Sequence, residues 1–197
     1  DLVGSEFNDP FDIYFGPSGS DLVYYPLMFQ GMLNPNKKLI NIVSCPEELG
    51  SGSGYASESR FYANYNQFGD KIPKGEFVDP EHISEVHYLD ARDKEGNILD
   101  RSKSVKEIID ANKDAAVVGS LVFGSKSGIK DDLDIIDPDD GTMWVVDLCQ
   151  FRVDPKLIHE LLEKGVMIML TGSKFFQAPP FCAAMLVPRK WSEELKQ

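Results

Sequence analysis

Lys174 stands in the run Leu170-Thr171-Gly172-Ser173-Lys174-Phe175-Phe176, directly after an apolar stretch and among aromatic residues. Lysine is rarely placed in such surroundings without a purpose. Desolvation would lower its pKa and free the amine for attack on a carbonyl, as a Schiff-base lysine requires. The competing explanation is a lysine whose stem passes the rings and carries its ammonium to water. Thr171 and Ser173 offer hydroxyls nearby. A second candidate is Asp147 in Val145-Val146-Asp147-Leu148-Cys149-Gln150. It ends an apolar, strand-like run, which puts it at the carboxyl edge of a parallel sheet, where α/β ligands bind. A carboxylate there can hold a proton on a buried ring nitrogen, or simply cap a loop. The third is Gly19-Ser20, in the turn Gly16-Pro17-Ser18-Gly19-Ser20-Asp21 at the mouth of an apolar helix. Backbone N–H groups and a hydroxyl at such a mouth make a phosphate site, or an ordinary N-cap.

These residues need elements to position them. The spacing predicts a helix over 22–33, with Pro26 tolerable only in its first turns. Buried strands are expected over 39–43, 115–123, 142–148, 166–170 and 181–187, and a further strand over 83–91 ends in a hairpin turn at 93–97. Helices are expected over 104–112, capped by Ser104 with Glu107 three residues on, over 154–164, between Asp154-Pro155 and Gly165, and from 190 onward. Residues 50–54 read as a flexible loop, and 58–80 show no clear period. Continuous apolar strands alternating with helices indicate parallel βαβ units covered on both faces. The expected fold is therefore a three-layer αβα domain with a mostly parallel central sheet, running as one unit over 1–197.

Several familiar patterns fail. Gly119 to Ser127 reads like a phosphate-binding loop, but is one residue too long and has a strand-like interior. The glycines of 50–54 fit neither a dinucleotide fingerprint nor a nucleophile elbow. His82, His87 and His159 lack zinc spacing. The acidic segment 126–140 lacks the order of a calcium loop, and reads as a solvated acidic surface.

Composition narrows the function further. Apolar residues make up 42% of the 197, enough for a packed core. Asp and Glu exceed Lys and Arg by 32 to 20, for a net charge of -12, so nucleic acid and anionic membrane surfaces are poor partners. No apolar run approaches the ~18 residues of a membrane span. Cys45, Cys149 and Cys182 are odd in number and sit in apolar or strand-like settings, which suggests reduced, buried thiols in a cytoplasmic compartment.

Together the amine, acid and anion site resemble the fold-type I pyridoxal-phosphate-dependent enzymes, most closely the class V aminotransferase and cysteine desulfurase branch. The likeness lies in Asp-x-x-Gln at one strand end, with Ser-Lys 26 to 27 residues later, and in the Gly-Ser turn. It is specific over 144–188 and thinner over 16–54. The resemblance implies a large domain of the transferase fold, with the cofactor pyridoxal 5'-phosphate. Lys174 would form the internal Schiff base and move the Cα proton toward a quinonoid. Asp147 would pair with the pyridinium nitrogen. Gln150 would hydrogen-bond the phenolic oxygen, and Gly19, Ser20, Thr171 and Ser173 would hold the phosphate. An amino acid is the implied substrate and a homodimer the implied assembly. Some features depart from the branch. Glu48 falls where a ring-stacking histidine is usual, and Tyr55 is a weak substitute. Arg152 is expected to pair structurally. Cys182, strand-bound, is unsuited to sulfur transfer. The chain is about half the usual length, as a large domain without its C-terminal small domain would be. A transferase is therefore favoured over a non-catalytic binding or scaffold relative.

Overall fold

Strand and helix alternate along the chain much as the apolar runs predict. The computed structural model describes residues 11–66 and 68–196. In order, the elements are β1 (Phe11–Gly16), α1 (Gly19–Leu22), α2 (Tyr24–Leu33), β2 (Leu39–Ser44), α3 (Ser53–Ser57), β3 (Ser84–Leu89), α4 (Ser102–Ala111), β4 (Ala116–Val122), β5 (Met143–Asp147), α5 (Pro155–Glu163), β6 (Met167–Thr171), β7 (Ala183–Pro188) and α6 (Arg189–Glu194). The strands form one seven-stranded sheet in the order β1-β7-β6-β5-β4-β2-β3. β3, β2, β4, β5 and β6 run parallel, while β7 is antiparallel to both β6 and β1.

Side-chain alternation along the strands divides the core in two. One face carries Ile40, Ile42, Val117, Leu121, Val146 and Ile168 against Val105 of α4 and Ile158, Leu161 and Leu162 of α5. The other carries Leu39, Val118, Val145, Met167, Met169 and Met185 against Leu22, Leu27 and Phe29 of α1 and α2, with Trp191 of α6 beside them. A sheet covered on both faces confirms the three-layer αβα arrangement.

Local chemistry moves some boundaries. The helix expected over 22–33 is two helices, since Ser18 caps α1 with its side chain on Asp21 N and α2 begins anew at Tyr24, which leaves Pro26 in the first turn of α2. Ser104 is not a cap: α4 starts at Ser102, whose N–H is taken by Asp100 Oδ1 at 2.9 Å. β1 was not foreseen, because Phe11–Gly16 is an edge strand with a half-exposed, weakly periodic pattern. The glycine-rich stretch at 50–54 is no free loop, for α3 begins inside it at Ser53. β7 starts at Ala183, two residues later than expected, because Phe181 takes φ +64°, outside extended geometry. Cys182 consequently lies outside the strand and is exposed, whereas Cys45 and Cys149 are buried as expected.

The acids of the segment 126–140 are exposed apart from Asp131, which is buried together with Ile129, Ile135 and Ile136. Its Oδ1 accepts from Arg101 Nε at 2.8 Å and its Oδ2 from the Val122 N–H at 2.7 Å. Arg101 also donates to Ser44 Oγ at 3.0 Å and to the Leu99 carbonyl at 2.6 Å. This pair ties the carboxyl ends of β2 and β4 together.

Candidate functional site

Parallel strands deliver their last residues to one edge of the sheet, and two of the candidates, Asp147 and Thr171, arrive there by register. Val122 is paired with Asp147 across β4 and β5, and Asp147 with Met169 across β5 and β6. Thr171 ends β6 two residues further on. The turn before α1 closes over this edge. A Cβ on Gly19 would stand 3.2 Å from Cys149 Sγ and 3.4 Å from Thr171 Cγ2, so glycine is what allows α1 to sit this close. The first turn of a helix leaves its N–H groups without helical acceptors, and among the described residues no backbone acceptor is found for those of Gly19 and Ser20.

Asp147 is half-buried, and its Oδ1 accepts from the Cys149 N–H at 2.7 Å. Burial foremost, and then the Asp147 charge, push the Cys149 thiol well up, against an opposing influence from Lys174. The Thr171 hydroxyl is buried and donates to the Cys149 carbonyl at 3.1 Å, so its proton is already committed. Ser20 Oγ lies 3.1 Å from Ser53 Oγ, which docks α3 on α1.

Lys174 is exposed rather than buried among aromatics. Phe175 and Phe176 pack on each other, and Phe176 packs edge-on to Phe151 at 5.0 Å, instead of enclosing the amine. That ring contact joins the loop after β6, which carries Ser173 and Lys174, to the loop after β5, which carries Gln150. Among the described residues, no side-chain hydrogen bond joins Gln150, Ser173 or Lys174 to the other candidates. Arg152 donates to the Ser125 carbonyl at 2.8 Å, a structural contact but with a backbone oxygen and not a carboxylate.

The segment that failed as a phosphate loop has another job. Glu48 Oε1 accepts from Ser127 Oγ at 2.7 Å and its Oε2 from Ser127 N at 3.1 Å, and Lys126 reaches the Leu49 carbonyl at 2.8 Å. These bonds fasten the turn after β4 to the connection after β2, beside the site. Only their partners in space reveal them, since the residues lie 77 to 79 positions apart in sequence. Tyr62, also unforeseen, covers the mouth of α1. Its hydroxyl is 3.4 Å from Ser18 Oγ, and its ring would meet a Cβ on Gly52 at 2.7 Å.

No protein-family model and no curated protein matches the chain. Solved structures do. The chain is similar to the apo cysteine desulfurase from Thermococcus onnurineus NA1, with 18% identity and a TM-score of 0.58 over 98% of this chain and 42% of that one. It is similar to an S-selective transaminase from Bacillus megaterium, with 15% identity and a TM-score of 0.57 over 100% and 47%. It is also similar to TDC from Oryza sativa, solved with PLP and tryptamine, with 14% identity and a TM-score of 0.59 over 95% and 38%. The chain thus spans less than half the length of these proteins. At such identities the likeness is one of fold: the large-domain fold of the fold-type I pyridoxal-phosphate-dependent enzymes.

Proposed function

We propose that this chain is the cofactor-binding large domain of a pyridoxal-phosphate-dependent transferase acting on an amino acid. The observation that carries the proposal is the approach, at one sheet edge, of the first-turn N–H groups of Gly19 and Ser20 to the ends of β5 and β6, where Asp147 ends one strand and the Ser173-Lys174 loop leaves the other. The residues fit the group in kind: N–H donors for a phosphate, a half-buried carboxylate for a pyridine nitrogen, and a primary amine for an aldehyde. When bound, pyridoxal phosphate supplies an electron sink for charge developing at the amino acid Cα.

The protein's own groups would do the rest. Gly19 and Ser20 would hold the phosphate through their N–H groups, helped by the helix mouth, and Ser173 would add its hydroxyl. Thr171 contributes by fixing Cys149, and hence the Asp147 carboxylate that accepts from Cys149 N–H. Asp147 would keep a proton on the ring nitrogen, and Gln150 would donate to the phenolic oxygen. Lys174 Nζ would anchor the aldehyde carbon and later carry the Cα proton. A homodimer would enclose the exposed amine, and the free thiols of all three cysteines support a reducing, cytoplasmic setting.

The test is a visible absorption spectrum of the chain with added pyridoxal phosphate, beside Lys174→Ala. A new band that borohydride reduces onto a peptide containing Lys174, and that the variant lacks, is the expected result. The exposure of Lys174 favours a second reading, a scaffold that keeps the fold without the cofactor. Absence of the band in this chain and in the longer protein containing it would establish that reading instead.

A further inference from the structure

Beside the mouth of α1 opens a cleft of about 470 Å³ that none of the candidate cofactor residues lines. Its volume lies in the range of small-molecule sites. Aromatic rings make its walls: Tyr24 from α2, Phe61, Tyr62 and Tyr65 from the connection after α3, and Phe181 from the end of the Lys174 loop. Tyr24 and Tyr62 stack at 6.2 Å between centroids, and the Tyr24 hydroxyl is turned to the Arg60 carbonyl at 2.6 Å. The charged group in the lining is Asp21. Its Oδ2 accepts from Ser18 Oγ at 2.6 Å, and among the described residues no salt bridge joins it to a cation of the protein.

We infer that this cleft binds an organic ammonium ion with an aryl or similarly apolar body. Aromatic ring faces carry negative electrostatic potential and attract a cation placed over them. The Asp21 carboxylate supplies an opposite charge that no salt bridge among the described residues matches. A carboxylate ligand would meet Asp21, which repels it, and the chain's net charge of -12 points the same way. The inference stands apart from the cofactor proposal, since the cleft needs neither Lys174 nor Asp147.

The test is calorimetric titration of the full chain, without cofactor, using 2-phenylethylammonium, 2-phenylethanol and 3-phenylpropionate as probes. The ammonium is expected to bind at least tenfold tighter than the alcohol, with the carboxylate weakest. Asp21→Asn should remove the ammonium's advantage and leave the alcohol unchanged. Because Asp21 also touches the α1 cap, Phe181→Ala provides a second variant on an exposed ring, and should weaken ammonium and alcohol together severalfold. Equal binding of ammonium and alcohol, tighter binding of the carboxylate, or an ammonium preference that survives Asp21→Asn in a folded variant would overturn the inference. A cofactor band without ammonium preference would sink this inference alone, and the reverse result would sink only the cofactor proposal.

Discussion

The strands β4, β5 and β6 and the connection over residues 45–83 lie against each other yet are held by different forces. In the strands, Val118, Val146 and Ile168 are fully buried, and neighbours are joined by regular parallel ladders. In the connection, order comes from individual polar and ring contacts. Asn41 donates to the Ser57 carbonyl at 3.0 Å, Arg60 donates to the Gly75 carbonyl at 2.7 Å, and the Arg60 guanidinium lies 3.9 Å over the Phe77 ring. The first region is stable through area removed from water, spread over many residues. The second depends on a few contacts, each worth about 1 kcal/mol, and it supplies most walls of the proposed ammonium cleft. A rigid block thus presents the cofactor-side groups, while a locally stabilised segment shapes the neighbouring pocket.

Substitutions can break or sharpen this contrast. The largest effect is expected from Asp131→Ala, which leaves Arg101 buried without its partner and the Val122 N–H without its acceptor. Urea unfolding should show a loss of about 3–5 kcal/mol; a loss below 1 would mean that the strand ends do not depend on this pair. Gly119→Ala should follow. The added Cβ would stand 2.8 Å from the Trp144 ring inside β4, and overpacking of this kind costs about 1–3 kcal/mol.

Glu48→Gln probes the junction of the two regions. Burial raises the Glu48 pKa, but the Ser127 hydroxyl and N–H outweigh it, with help from Ser125 and Arg92, so the net shift is downward. A depressed folded pKa means stability present above the unfolded pKa and lost as pH falls through the folded one. The substitution should therefore cost about 1.5 kcal/mol at pH 7, and the gap to wild type should close on acidification in pH-dependent unfolding. A gap independent of pH would show that charge has no part in the tie. The smallest effect is expected in the connection itself. Gly54 lies in α3 with open space where a Cβ would go, so Gly54→Ala should be neutral or stabilising by up to about 1 kcal/mol in the same assay. A destabilisation equal to that of Gly119→Ala would erase the distinction between the regions.

Legibility in the sequence follows the same division. Met167–Thr171 and Met143–Asp147 are short unbroken apolar runs, and their burial made them visible as strands. Asp154-Pro155 and Gly165 marked both ends of α5, where Asp154 Oδ1 accepts from Lys156 N–H and Gly165 takes φ +78°. The approach of Gly19 to the β5 and β6 ends was implied only by the family resemblance, since β1, the strand that delivers the Gly19 turn, left no periodic trace. Less visible were contacts between distant residues. Asp131 resembled its solvated neighbours Asp132 and Asp134 because nothing local distinguishes the one acid that meets an arginine 30 positions away. Lys174 misled in the opposite direction: aromatic neighbours in sequence packed on one another and left the amine in water.

The sequence by itself determined the layered αβα architecture, the parallel direction of the central strands and the sheet edge at which Asp147 and Thr171 end their strands. Each of these depends on hydrophobic periodicity and on short-range capping, properties of neighbouring residues. Tertiary structure alone decided which acid is buried, which thiol is exposed, how far Lys174 stands from its rings and that a ring-lined cleft opens beside Asp21. Those outcomes depend on desolvation and on partners brought together by folding, and both are set by the path of the whole chain in space.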